Sequence, residues 1–600
     1  MCSKGEQFFG AHEAGPAYSN DTAESLPFPI PRSQTNMAET TPQGPLGLLL
    51  DNIRPLTLIL SAILLLYLLY TAAYGTDIPH IRGIPEPSGA VPFYGHIKAL
   101  GDDHPSALQA WSVRNGWPLL QAKLGNRRIV VLNTFEAAQH FIQKNASATI
   151  DRPIFWTFHK MVSNTQGATI GTSPWDPSCK RKRTAVGAFM TRPAIQRNAP
   201  LYDIEIHGLI SDMFAAALDP ASNTTSIEVD PRIFFLRATL NFTTLLCYAS
   251  RFSDVHDPML HDILTTAHTV STFRSTNNNT QDYVPFHRYL PNPRNALAKQ
   301  ITAKRDVWLD ALLARVQTAV DAGKPVSCIA EGLLRGKSEV KLSEAEIRSI
   351  NVGLVSGGFE TLATTGIAGL GFMSTDEGQH VQQKAYDAIM SVYASAEEAW
   401  EKCLVEENVE YVVALVREML RYYCAIQLLP PRQTFKEMEY NGVRIPKGVT
   451  VYMNAQAINH GQCSERNGQD EITDGQKDET AYGPDAHVFR PERWLDPDNK
   501  FKVPAPYHYS YGAGSRACTA IALSNRILYA AFVRLIVHFK FTASKEAPPT
   551  TDYIDFNENR KDASVLPKRY RLKLEERQPR DVLLKNLEQS RDATSHLVLT

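Results

Sequence analysis

An uninterrupted apolar run from Pro55 to Thr76 sets the first limit on what this chain can become. It carries no charged residue and is rich in Leu, Ile, Ala and Tyr. A helix that crosses a bilayer needs roughly 20 such residues, so residues 55–76 predict a single transmembrane anchor. A buried core helix is the competing reading. A cleavable signal peptide fits less well, because the run is too long and starts too late. Tyr67, Tyr70 and Tyr74 cluster toward its end, where amphipathic rings settle at a membrane interface.

The anchor divides the chain. Residues 1–54 are rich in Pro, Ser, Thr and Gly and read as a disordered extension. A chain begun at Met37 would open almost on the anchor, so residues 1–36 read as dispensable or as an upstream start. Pro79, Pro85, Pro87 and Pro92 make residues 77–92 a stiff connector. Residues 93–577 form the body, and residues 578–600 a tail with no clear site.

The body reads as mainly α with small β-sheets. Leu119 to Leu124 and Arg128 to Leu132 flank a Gly-Asn turn and predict a strand pair. Thr134 is a plausible N-cap for the helix that follows. Periodicity is helical from about 200 to 425, and strand character returns from Glu439 to Met453, with turns at Asn441-Gly442 and Pro446-Lys447-Gly448. Residues 461–483 are polar and read as a surface insertion. The net charge of −1 argues against a nucleic-acid partner. The eight cysteines are scattered, without the C-x-x-C spacing of a zinc site, which fits a reducing compartment.

One cysteine has unusual neighbours. In Tyr511-Gly512-Ala513-Gly514-Ser515-Arg516-Ala517-Cys518, two glycines allow a tight loop to approach a flat cofactor. A long helical pattern follows from Ile521 to Phe539. Cys518 therefore sits at or just before a helix N-terminus, where the dipole favours a thiolate. Arg516 can pair with an anionic group. A buried cysteine beside a glycine turn is the bland alternative.

This run resembles the haem-binding loop of the cytochrome P-450 superfamily, F-x-x-G-x-R-x-C-x-G, with Gly514, Arg516 and Cys518 in register. Tyr511 replaces the usual Phe. Ala520 replaces the usual Gly and puts the seating of the haem in doubt. The resemblance implies a P-450 fold behind a single N-terminal transmembrane helix, with haem b (iron protoporphyrin IX) held by Cys518 as axial ligand.

Three further motifs fit the resemblance. Glu418-Met419-Leu420-Arg421 matches its Glu-x-x-Arg, and residues three apart share a helix face. Phe489-Arg490-Pro491-Glu492-Arg493-Trp494 matches its P-E-R-F-like segment, implying that Arg493 joins Glu418 and Arg421 in a structural network. A capping box at Ser343 and Glu346 starts a helix that reaches Gly357-Gly358-Phe359-Glu360-Thr361, similar to the family's A/G-G-x-D/E-T. The resemblance gives Thr361 and Glu360 the work of proton delivery to dioxygen, and the glycines predict a local helix bulge. Arg432 stands where the family often has an arginine reaching a haem propionate. Cys179 occupies the position four after Trp175 where the family has a basic residue. The following cluster, Lys180-Arg181-Lys182-Arg183, can contact the haem with one side chain and dock a reductase with others, or be a solvated helix start.

The resemblance extends over roughly Ile78 to Leu572. Gly171 to Arg183, Phe273 to Pro285 and Gln382 to Ile389 look like fungal phenylacetate hydroxylases, whose relatives include hydroxylases of m-cresol and m-hydroxybenzyl alcohol. It implies a monooxygenase acting on a small monocyclic aromatic, anchored in the endoplasmic reticulum membrane with a cytosolic body. Electrons would come from NADPH through a membrane-bound cytochrome reductase. The departures at Thr519, Ala520 and Phe359 to Thr364 tilt the expectation toward m-cresol or m-hydroxybenzyl alcohol in a patulin-like polyketide pathway. Phenylacetate or 3-hydroxyphenylacetate catabolism is the alternative. A haem-thiolate isomerase or dehydratase, and a non-catalytic haem-binding membrane protein, are the other classes open. Glu360-Thr361 argues against the isomerase or dehydratase, while a haem-binding protein would need the iron ligand but no distal oxygen machinery.

Overall fold

The computed structural model describes residues 45–324, 326–336, 340–461 and 479–597. The chain divides into two units, residues 1–67 and 68–600. Helix α1 (Pro45–Tyr74) contains the apolar run. It begins inside the stretch read as a disordered extension, which corrects the boundary at residue 54. Residues 1–44 lie outside the described residues. Among the described residues two helices are long and apolar enough to cross a membrane, and burial separates them. Leu56–Tyr74 has a mean hydropathy of 2.2 and none of it is buried, whereas Ile521–His538 is 72% buried and serves as core.

The connector is not a free strut. Ile81 and Ile84 are buried, and the Gln121 side chain accepts from the Ile81 N–H and donates to the Ile81 and Ile84 carbonyls. With two buried isoleucines and these hydrogen bonds, the proline-rich segment packs onto the first strand.

Strands β1 (Leu119–Leu124) and β2 (Arg127–Leu132) form the expected antiparallel pair. β2 runs parallel to β6 (Thr450–Met453), which pairs antiparallel with β3 (Arg432–Gln433). β4 (Met438–Tyr440) and β5 (Val443–Ile445) make a hairpin, and both turn residues, Asn441 and Gly442, have positive φ, as a type I′ turn requires. β7 (Phe539–Ala543) pairs with β8 (Leu572–Glu576). Most of the polar insertion at 461–483 lies outside the described residues.

The main core lies among helices α2 (Pro177–Phe189), α3 (Ala199–Ala217), α4 (Arg232–Tyr248), α5 (Glu344–Ser374), α6 (Glu410–Tyr422) and α7 (Ile521–His538). The Ser343–Glu346 capping box starts α5 as expected. Its interior departs from expectation, because α5 is α-helical throughout, with no bulge at the glycines. Gly358 instead serves packing against α4, since a Cβ there would lie 2.6 Å from Thr243 Cγ2.

The tail also differs from expectation. Helix α8 (Arg580–Thr594) buries Leu583 and Leu587 in the main core. Ser590 donates to Asp203 on α3 and accepts from the Trp400 indole. An apolar face with Leu at i and i+4 joins the fold although it carries no chemical motif.

Candidate active site

Backbone geometry explains the glycines of the cysteine loop. Gly514 has φ +61°, and a Cβ there would lie 2.1 Å from the Ile142 carbonyl oxygen, so only glycine fits. The chain then turns so that the Cys518 N–H donates to the Tyr511 carbonyl at 2.9 Å. α7 begins three residues later. Cys518 is exposed, and what it faces is a cavity of about 370 Å³ inside the body. Burial pushes its thiol up, opposed by the Ala520 N–H, 3.4 Å from the sulfur, and by the Arg183 charge. A free thiol there stays protonated; a bound metal would deprotonate it. Ala520 has φ −103°, so the alanine needs no left-handed backbone. The Tyr511 hydroxyl donates to Asn525 Oδ1 at 2.9 Å.

Among the arginines that line the same cavity, Arg152, Arg183, Arg432 and Arg516 form one cluster. Carbonyls hold them in place. Arg516 donates to Ile150, Ile170 and Ser173, Arg432 to Ala513, Arg152 to Pro430 and Pro431, and Arg183 to Ala517. The Nε atoms of Arg152, Arg432 and Arg516 are buried without a hydrogen-bond partner among the described residues. Burial, then the charges of Arg516 and Arg183, push Arg432 down to about 9. Arg152 is driven down by burial and by the other three guanidiniums. Among the described residues none of the four forms an ion pair, although the Asp151 and Asp176 charges act on Arg516. Like charges so gathered are costly, and a dianionic group beside them removes that cost. A thiol ahead of a helix, a cavity in front of it and these four arginines fit an iron porphyrin with two carboxylates.

The expected Arg432 and Arg516 are both in this cluster, together with Gly514 in the loop beneath it. Arg183 and Arg152 complete it. Arg183 lies one helical turn beyond Cys179 and replaces the missing basic residue there. Arg152 had no signal in the sequence. The rest of the basic cluster is spent locally: Arg181 pairs with Glu346 at 2.6 Å, and Lys182 donates to Ala168 and Ser173. Of the four, Lys180 is exposed, and the Arg181 side chain is 42% exposed despite its ion pair.

α5 supplies the opposite wall. Gly357 and Thr361 line the cavity, and a Cβ on Gly357 would meet open space. The Thr361 hydroxyl donates to the Gly357 carbonyl at 3.0 Å, within its own helix. Glu360 is buried and accepts from the Ser564 hydroxyl at 2.8 Å. His268 lies 3.6 Å from Glu360 and 3.3 Å from Asp562. The Asp562 and Glu360 carboxylates raise the His268 pKa to about 10. A half-exposed imidazolium thus connects solvent to a carboxylate at the cavity. Sequence reading missed His268 and Asp562, which lie far from each other along the chain and carry no motif.

Behind the cysteine loop, Glu418 and Arg421 are both fully buried. Glu418 accepts from Arg421 Nε and Nη2, Arg493 Nε, the Arg490 N–H and the Trp494 indole, at 2.7–2.9 Å. Trp494 therefore adds a donor that the usual Phe would lack. Burial alone would raise the Glu418 pKa, but Arg421 and Arg493 outweigh it and hold the carboxyl below its ordinary value. Arg421 also donates to the Asn459 carbonyl, and the Asn459 side chain accepts from the Tyr509 N–H and donates to Ser510. The network thus grips the residues just before the cysteine loop.

The family model for Cytochrome P450 matches residues 85–463 and 472–574. The chain is 38% identical to phenylacetate 2-hydroxylase of Emericella nidulans over 90% of its own length and 99% of that protein. It is 31% identical to 3-hydroxyphenylacetate 6-hydroxylase of the same organism, over 86% and 93%. It is 28% identical to a cytochrome P450 monooxygenase of Mycosarcoma maydis, over 82% and 86%. With the helical fold, the small sheets and the cysteine cavity, these likenesses establish the chain as a monooxygenase of the cytochrome P450 family, in the branch of fungal aromatic hydroxylases.

Proposed function

We propose that this chain hydroxylates the ring of a small monocyclic aromatic, with Cys518 as the axial ligand of haem iron. The observation that carries the reading is that Cys518, the four arginines and Thr361 line one cavity. When bound, the haem supplies the activation of dioxygen. Arg152, Arg183, Arg432 and Arg516 would hold its carboxylates. Glu418, Arg421 and Arg493 keep the cysteine loop rigid. Thr361 presents a hydroxyl to the cavity, and His268 and Glu360 pass protons toward it from solvent.

Both arylacetate hydroxylases align over nearly their whole length, so an arylacetate now stands ahead of m-cresol or m-hydroxybenzyl alcohol, and ahead of a place in a patulin-like pathway. The Leu56–Tyr74 helix anchors the protein in the endoplasmic reticulum membrane, with the body in the cytosol. A membrane-bound reductase there passes it electrons from NADPH. The test is turnover of phenylacetate, 3-hydroxyphenylacetate and m-cresol by haem-loaded protein with NADPH and a fungal reductase. A ring-hydroxylated product with incorporated oxygen from O2 is expected. Turnover without NADPH would favour an isomerase or dehydratase instead.

A further inference from the structure

Two further guanidiniums line the cavity, Arg274 and Arg560, and Arg560 is paired with Asp103 and Asp555. Arg274 lines the wall shared with Gly353, Ser356 and Gly357. Its guanidinium lies 4.8 Å over the Phe158 ring. The one hydrogen bond it makes is long, from Nη2 to the Ser356 hydroxyl at 3.4 Å. Its Nε is buried and has no partner among the described residues. No carboxylate among them forms an ion pair with it.

The charges that act on Arg274 are Glu360 and Arg305, whereas Arg432, Arg516 and Arg183 act on Arg152, and Arg516 and Arg183 on Arg432. Arg274 therefore stands apart from that cluster. Glu360 acts on Arg274 only through its charge and forms no ion pair with it; its oxygens meet Ser564 and His268. Arg305 is already satisfied by Asp306, Thr165 and the Val162 carbonyl. What remains is a desolvated cation at the wall of a partly aromatic cavity, without an ion-pair partner among the described residues, an arrangement that is costly unless a ligand supplies the anion.

We propose that Arg274 binds the carboxylate of an arylacetate-type substrate and so fixes which ring carbon faces the oxidant. The inference rests on the aromatic-hydroxylase reading above and adds the group that selects among aromatics. Ser356, which touches Arg274, and Thr361 are five residues apart on α5, about 7.5 Å along the helix axis. That is the length scale of a benzene ring bearing a one-carbon arm and a carboxylate. A guanidinium fork matches a carboxylate in two parallel hydrogen bonds. A neutral phenol would leave it unpaired, and sites built around a buried polar group reject ligands that lack its complement.

The test is optical titration of the full-length, haem-loaded protein with phenylacetate, phenylacetamide and m-cresol. Wild type should bind phenylacetate more tightly than either neutral ligand. Arg274→Gln should weaken phenylacetate by roughly 10- to 100-fold and leave phenylacetamide nearly unchanged, and Arg274→Lys should fall between them. A normal carbon monoxide difference spectrum certifies each variant. Should Arg274→Gln fail to hold haem, the wild-type ranking and Arg274→Lys decide. Unchanged phenylacetate binding in a variant with an intact spectrum overturns the inference, as does a wild-type preference for phenylacetamide or m-cresol. If none of the three ligands perturbs the wild-type spectrum, the small-aromatic reading itself fails and takes this inference with it.

Discussion

Arg493 Nε donates to Glu418 Oε1 at 2.9 Å, joining a short turn to a helix that lies 75 residues earlier in the chain. The Glu418 carboxylate is fully buried and meets charged donors on both oxygens. Replacing it with Gln keeps its shape, strands the Arg421 charge and leaves Arg493 with Asp485 alone. Removing one partner of a buried ion pair costs about 3–5 kcal/mol, so Glu418→Gln should lower the unfolding midpoint and haem retention together. The pH dependence follows from the depressed carboxyl pKa. The wild-type advantage should be complete above the ordinary carboxylate range and fade as pH falls through the lowered folded value. Denaturant unfolding at neutral and acidic pH checks both effects; an equal gap at all pH values would refute the assignment.

The arginine cluster makes an opposite prediction for the empty and loaded protein. Arg183 adds a like charge to Arg152, Arg432 and Arg516 and makes one long hydrogen bond, 3.3 Å to the Ala517 carbonyl. Arg183→Met should leave the apoprotein as stable or more so, because a repulsive charge is gone. Haem should dissociate roughly 10-fold faster, since one charge-assisted hydrogen bond is lost. Apoprotein melting and haem transfer to an acceptor protein measure the two sides.

Thr361 bonds only within its own helix, so its hydroxyl carries little of the fold. Thr361→Val preserves the branched shape and removes the hydroxyl. Melting should change little, whereas product formation should fall by about 100-fold, within the range of a lost proton-delivery group. Product formed per NADPH consumed is the decisive ratio. A proportional loss of both would point to damaged substrate binding instead.

Much of this site was legible because its residues are fixed by local geometry. Gly514 is demanded by a carbonyl, Glu418 and Arg421 by helix spacing, and Ser343 by a helix start. Arg152, Arg274 and His268 were not legible, because their roles come from what folding brings beside them. The expected bulge in α5 failed for a related reason: glycine spacing cannot distinguish a weakened helix from one that needs Gly358 to pack closely against Thr243. The tail helix was missed because an amphipathic surface helix and a free polar tail have similar compositions.

The join between anchor and body determines where a soluble form can be cut. Deleting residues 1–76 is the simple choice from hydropathy, but it removes backbone that the body uses. The Ala73 carbonyl accepts from the Phe93 N–H at 2.8 Å, and Phe93 holds a positive φ of 63°. The Tyr74 carbonyl accepts from Lys123 Nζ at 2.8 Å. Past the cut, the Asp77 carboxylate accepts from the Arg128 N–H at 2.9 Å. Each lost hydrogen bond costs about 1 kcal/mol, so deletion of 1–76 should yield a body less stable by roughly 1–2 kcal/mol than deletion of 1–69. Both should leave the membrane fraction without detergent, because the exposed apolar residues from Leu56 to Leu69 are gone. Persistent sedimentation of the shorter deletion with membranes would reveal a second attachment in the body.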